Sequence, residues 1–262
     1  FGEAMVALAQ KDPNIVAVSA AMPVGTGLTE FAGRFPGRFF DVGIAEEHAL
    51  TMAAGMASGG LRPVVAIYST FLQRGYDQIL HDICLQRLPV VLAVDRAGLV
   101  GDDGETHQGV YDAAFLSTMP NMTVYSPATQ QELVHMLTLA LSRGEPAAVR
   151  YPRGSLMQAV SAQPVEKGVW EELEPVAEKT VIATGAMVAV ALPVCRRLGA
   201  GLVNARTIRP MDESLLARVK RTAKLVVVME EGVDCLGLRA AAALAQVPVA
   251  RMCVPADPVS QA

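Results

Sequence analysis

Short apolar runs alternate with longer helical stretches along the first 150 positions, and this alternation limits the fold more than any other feature. The runs lie at 15–19, 38–42, 63–68, 89–95, 122–126 and 147–151, with helical patterns such as 45–58, 76–86 and 129–142 between them. Strands that are apolar at successive positions are buried on both faces, the condition of a mainly parallel sheet covered by helices. Thr129, with Glu132 three residues on, reads as the N-cap of the helix over 129–142. From Arg153 to about Val176 the pattern dissolves into Gly, Pro, Ser and Glu, and then restarts with runs at 180–184, 201–205, 224–230 and 247–253. The expectation is α/β: two doubly wound, mainly parallel-sheet domains over 1–153 and 177–262, joined by a linker over 154–176. The second unit, about 85 residues long, is short for such a domain and ends without a closing helix. The chain also begins at Phe1 rather than Met, so both ends are expected to be incomplete.

Composition narrows the function classes. Of 262 residues, 52% are hydrophobic and 18% charged, so much of the surface is expected to be buried in a core or an oligomer. A net charge of −4 without a basic block argues against nucleic acid as a partner. No run of about 18 uncharged apolar residues occurs, so no membrane span is expected. Cys84, Cys195, Cys235 and Cys253 are scattered among apolar residues with no CxxC pair, and read as reduced core thiols of a cytoplasmic protein with no structural zinc.

In open α/β sheets, ligands bind beyond the carboxyl ends of the strands. Polar residues concentrate there, at 41–48, 68–74, 95–107 and 151–153. Glu46 opens the helix after the second strand, where the helix dipole favours a carboxylate. Alone it is more readily a surface charge. The small residues that follow (Ala49, Ala53, Ala54, Gly55, Ala57) suit a helix packed tightly on several faces, which would bury it. Phe71, in a loop after the third strand, is either a core plug or a stacking platform for a flat heteroaromatic ligand, with Arg74 in reach of an anionic group. The Gly-rich acidic stretch 95–109 lacks the lysine of a phosphate loop and the ligand spacing of an EF-hand, but places His107 among glycines after a strand. Arg74, Arg96 and Arg153 put three guanidiniums at strand ends, to be met by a phosphate or by nearby acids.

Three long motifs, Phe40-Asp-Val-Gly-Ile-Ala-Glu-Glu-His, Tyr68-Ser-Thr-Phe-Leu-Gln-Arg-Gly-Tyr-Asp-Gln and Asp95-Arg-Ala-Gly-Leu-Val-Gly-Asp-Asp-Gly-Glu-Thr-His-Gln-Gly, closely resemble the 1-deoxy-D-xylulose-5-phosphate synthase family. Arg150-Tyr-Pro-Arg-Gly and Asn204-Ala-Arg-Thr-Ile-Arg-Pro-Met-Asp fit the same family, and the resemblance runs over nearly the whole chain. It implies a thiamine-diphosphate pyrimidine-binding domain followed by a transketolase C-terminal-like domain. It also implies a condensation in which pyruvate loses CO2 and adds to glyceraldehyde 3-phosphate, feeding isoprenoid, thiamine and pyridoxal synthesis. By that resemblance Glu46 bonds the ring nitrogen of the cofactor's aminopyrimidine and favours its imino tautomer, while Ile44, Phe71 and Arg74 complete the cofactor site. Asp103 and His107 line the reacting centre. Tyr68, Arg96 and Arg153 hold the acceptor's phosphate. The resemblance further implies a homodimer, and magnesium bound on a diphosphate-binding domain.

That domain's Gly-Asp-Gly motif is missing here, since Gly101-Asp-Asp-Gly belongs to the loop just described. No metal site is therefore expected on this chain, and the diphosphate-binding domain must join it in cis or in trans. Cys235-Leu-Gly-Leu replaces a Gly-rich helix opening, which bears on dimer packing rather than catalysis. Two other readings stand beside the synthase: a β-type subunit of a two-chain 2-oxoacid enzyme, and a non-catalytic dimerisation module.

Overall fold

The computed structural model describes residues 1–158 and 163–255; positions 159–162, within the expected linker, and 256–262, at the end of the expected second domain, lie outside the described residues. The strands are β1 (Ile15–Ser19), β2 (Phe39–Asp41), β3 (Arg62–Tyr68), β4 (Val91–Asp95), β5 (Thr123–Tyr125), β6 (Ala147–Arg150), β7 (Glu171–Glu174), β8 (Lys179–Ala183), β9 (Gly201–Asn204), β10 (Thr207–Arg209), β11 (Leu225–Met229) and β12 (Val249–Met252). They form two sheets, ordered β10-β5-β6-β4-β3-β1-β2 and β12-β11-β8-β9-β7. Pairing is parallel except at β10 on β5 and β7 on β9. This is the expected α/β class.

The continuous apolar strands serve two cores at once. In β3, Val65 and Ile67 face one cluster while Val64 and Ala66 face the other; in β4, Leu92 and Val94 divide from Val91 and Ala93 in the same way. On one side lie helices Gly2–Lys11, Thr29–Arg34 and Gln130–Arg143, which contribute Met5, Phe31 and Met136. The other cluster takes Leu50, Ile83 and Leu116 from the first domain and continues into Ile182, Val226 and Leu236 of the second. One apolar core thus crosses between the domains.

Several local expectations change. Within the stretch expected to be a linker, Trp170 is buried and Glu171–Glu174 form an edge strand. β10 comes from the second sequence unit yet completes the first sheet. The helix expected over 76–86 is α-helical only through Tyr76–Gln78 and continues as a π-helix over Ile79–Cys84. Helix Glu46–Ser58 is packed on one face only: Ala49, Ala53, Ala54 and Ala57 are buried, while Gly55 faces open space. Cys84, Cys195 and Cys235 are buried, but Cys253 is only partly so. No helix among the described residues is long and apolar enough to cross a membrane.

Thr129 caps its helix: its hydroxyl accepts the Glu132 N–H at 3.0 Å, and the Glu132 carboxylate reaches back to the Ala128 N–H at 2.7 Å. Thr129→Ala is expected to cost about 1 kcal/mol, read as a lower urea midpoint with an unchanged denaturant slope.

Candidate active site

Glu46 is set by the turn that ends β2. Asp41 Oδ1 accepts the N–H groups of Ala21 at 2.7 Å and Gly43 at 3.0 Å, and Gly43 at φ +71° reverses the chain into helix Glu46–Ser58. The Glu46 side chain is 2% exposed. Its Oε1 accepts from Arg74 Nη1 at 2.6 Å, and the Arg74 side chain is 45% exposed. Gly75 permits this approach, because a Cβ there would collide with Leu50 of the Glu46 helix.

Phe71 stands on a one-turn helix, Ser69–Leu72, not in a loop, and is half-buried. Its ring stacks on Tyr68 (centroids 5.9 Å, planes 19° apart), meets His107 edge-on at 5.3 Å and lies 4.8 Å from the Arg74 guanidinium. His107 also pairs through Nδ1 with Thr106 Oγ1 at 3.0 Å. Thr70 Oγ1 donates to Thr106 O at 3.0 Å, so the Phe71 helix and the His107 loop are tied together.

The contacts continue into a charged cluster. The Arg96 guanidinium lies 3.7 Å above the Tyr68 ring. Asp103 takes Arg96 Nε at 2.9 Å and Arg153 Nη1 at 3.0 Å. The acids that meet the three guanidiniums therefore come from the chain itself: Glu46 for Arg74, Asp103 for both Arg96 and Arg153, and Asp95, 3.7 Å from Arg96. A cleft of about 460 Å³ opens beside the arginine pair, between Gly25–Gly27, Asp95, Arg96 and the 151–156 stretch. Ile44 stands apart, 80% exposed, two residues before Glu46.

Further contacts shape the site. Asp95, at the end of β4, has its carboxyl pushed up to about 6 by burial, against the pull of Arg96. Its Oδ1 accepts the Arg96 N–H at 2.6 Å. Arg96 sits in the left-handed region at φ +57°, and its carbonyl packs where a side chain on Gly109 would collide. Arg150 grips Asp112 with two bonds, at 2.8 and 3.1 Å, and both side chains are buried. Burial raises the Tyr68 hydroxyl above its ordinary value, although Arg96 opposes this.

A buried carboxylate beside an aromatic ring and a guanidinium suits a flat nitrogen heterocycle: the ring stacks, and the carboxyl group bonds a ring nitrogen. Among the described residues, no group of three or more His, Cys, Asp and Glu is placed to hold a metal ion.

Comparison with known proteins identifies the domains that carry this geometry. The family described as Transketolase, pyrimidine binding domain, matches residues 1–158, and Transketolase, C-terminal domain, matches residues 168–262. A protein named 1-deoxy-D-xylulose-5-phosphate synthase from Clostridium tetani is 52% identical over 239 residues, covering 89% of this chain and 39% of that protein. One from Pelotomaculum thermopropionicum is 51% identical over 241 residues, covering 89% and 38%. The chain thus spans about two-fifths of the length of the curated relatives it matches. A solved split-gene transketolase, described as an inactive β4 tetramer, superposes with a TM-score of 0.88 at 30% identity, covering 98% of this chain and 88% of that one. Transketolase from Leishmania mexicana superposes at 0.82 with 20% identity, covering 98% and 40%, which shows the fold alone. The chain belongs to the transketolase family of thiamine-diphosphate enzymes, of which it carries the pyrimidine-binding and C-terminal domains.

Proposed function

We propose that this chain is the pyrimidine-side part of a 1-deoxy-D-xylulose-5-phosphate synthase, a transferase that joins pyruvate and glyceraldehyde 3-phosphate with loss of CO2. The observation that carries the reading is Glu46: a carboxylate 2% exposed at a helix start, paired with Arg74 and close to the Phe71 cluster. The relatives bearing the synthase name, at 52% and 51% identity, support this choice of substrates.

Thiamine diphosphate, when bound, supplies the electron sink for decarboxylation. Glu46 holds a proton at the cofactor's pyrimidine nitrogen, and its burial keeps that proton from bulk water. Phe71 orients the pyrimidine by stacking, with Ile44 as an apolar flank. Tyr68, Arg96 and Arg153 receive the acceptor's phosphate. Asp103 already balances both guanidiniums, so an entering phosphate must compete with it. His107, edge-on to the Phe71 ring, lines the reacting centre together with Asp103. Magnesium and the diphosphate belong to a domain contributed from outside these residues. The site then forms at a domain or subunit boundary of a homodimer, with no role for nucleic acid or membrane, and the enzyme works in the cytoplasm.

The alternative in which that domain is a separate polypeptide gains one observation: the matched split-gene transketolase, which this chain covers to 88%. The non-catalytic alternative is opposed by the intact Glu46, Phe71 and His107. The test is synthesis of 1-deoxy-D-xylulose 5-phosphate by the full-length protein with cofactor and magnesium. No product from either substrate order overturns the synthase, and restoration by a second polypeptide selects the two-chain form. Phe71→Ala is expected to weaken cofactor binding about tenfold with less effect on saturated turnover, measured by cofactor titration.

A further inference from the structure

The second domain reaches into the candidate site through the residues that follow β11. Val233 N–H donates to Val110 O at 2.8 Å, and Gly232 lies so close beneath that carbonyl that a Cβ would stand 3.1 Å from it. Glu231 goes further. Its carboxylate packs on Gly98, next to Leu99, where a Cβ would come within 2.5 Å of Oε2. Gly98, at φ +94°, is also bridged to Gly109 by reciprocal bonds of 2.7 and 2.8 Å. The backbone oxygen of Glu231 receives Arg150 Nη2 at 3.4 Å, and Arg150 is held by Asp112.

The neighbouring Glu230 acts otherwise. Its carboxylate accepts the N–H groups of Cys235, Leu236 and Gly237 at 2.8–3.0 Å and caps helix Leu236–Ala243. One glutamate therefore holds its own domain's helix, while the next crosses to the other domain. Burial raises the Glu231 carboxyl above its ordinary range, against the opposing pull of the Leu99 N–H and Arg150. A surface charge free in water would not be held so.

The point of contact lies between the two arginines. Val100, next to Leu99, donates its N–H to Gln108 Oε1 at 2.9 Å and accepts from Arg153 Nη1 at 3.2 Å. Arg96 lies three residues before Leu99, and Asp103, which joins both guanidiniums, four residues after it. A shift at Leu99 would move all three groups.

We propose that Glu231 is a positioning residue: from the second domain it braces the Gly98–Leu99 backbone, and so sets the Arg96–Asp103–Arg153 cluster for the phosphorylated acceptor. The consequence for turnover rests on the proposed function; the brace itself does not.

The experiment compares Glu231→Ala and Glu231→Gln in the full-length enzyme. Amide hydrogen exchange is followed over 97–110, with β1 and β11 as controls, alongside steady-state kinetics. In the Ala variant, exchange over 97–110 is expected to rise about tenfold with the controls unchanged. The KM for glyceraldehyde 3-phosphate should rise about tenfold, and kcat should stay within about twofold. The Gln variant, which keeps the shape of the side chain and its contact with Gly98, should behave like the parent in both measurements. Unchanged exchange over 97–110 overturns the brace, whatever the enzyme makes. A loosened loop with an unchanged acceptor KM overturns the positioning role. Faster exchange in β1 and β11, or a Gln variant that behaves like Ala, assigns Glu231 to general stability or charge instead. Failure of the parent to form product would count against the reaction alone, because the exchange measurement stands without it.

Discussion

Glu46→Gln in the full-length enzyme is expected to lower the rate of 1-deoxy-D-xylulose 5-phosphate formation by a factor of about 10²–10⁴, the range of a lost general acid–base group. Folding should survive. The substituted amide keeps the shape of the carboxyl group, and its oxygen can still accept from Arg74, now at 2.6 Å. Arg74, with its side chain 45% exposed, can also be solvated where its ion pair weakens. The expected shift in thermal midpoint is therefore within about 4 °C, the equivalent of about 1 kcal/mol. A loss of rate with retained fold separates a proton-holding role from a structural one. Near-parent turnover in this variant would remove Glu46 from the mechanism and with it the main support for the proposed function.

The strands were legible in the sequence where burial on both faces writes a continuous apolar run, as in Ile15-Val-Ala-Val-Ser and Val91-Leu-Ala-Val-Asp. β7 was not, because its sequence is Glu-Glu-Leu-Glu. Its acids are engaged by side chains far along the chain: Glu171 by Arg206, Glu172 by Arg218 and Glu174 by Arg196. No local pattern foretells partners more than 20 residues away. The same limit divides the site. Glu46, Phe71, Arg74 and His107 stand at strand ends, where topology alone directs attention. The Arg150–Asp112 pair spans 38 residues, and Asp103 meets Arg153 across 50. Gly109 reads in the sequence as a loop glycine, and only the fold brings the Arg96 carbonyl against it. Glu231 lies in a different domain from the loop it contacts. The chemistry was thus readable from position along the sheet, whereas what holds that chemistry in register depends on long-range pairing.

Arg206→Met should have the largest effect on stability, a loss of about 3–5 kcal/mol. The Arg206 side chain is 3% exposed and lies between two carboxylates, with Nε 2.7 Å from Glu132 Oε1 and Nη2 2.7 Å from Glu171 Oε2. Asn204 adds a bond to Glu132 Oε1 at 2.9 Å, and the carbonyls of Gln163 and Pro164 also face the guanidinium. Glu132 belongs to helix Gln130–Arg143 of the first domain, whereas Glu171 is on β7 of the second sheet, so the triad joins the two. Methionine nearly preserves the volume, so little of the expected loss comes from a cavity. Most of it comes from two buried carboxylates left facing each other without a cation. Adding Glu132→Gln and Glu171→Gln to Arg206→Met should therefore restore much of the stability, a coupling that independent sites would not show. Urea unfolding of the single and triple variants measures this. A loss below about 1 kcal/mol in Arg206→Met would mean that the apolar core shared across the domains, rather than this triad, joins them.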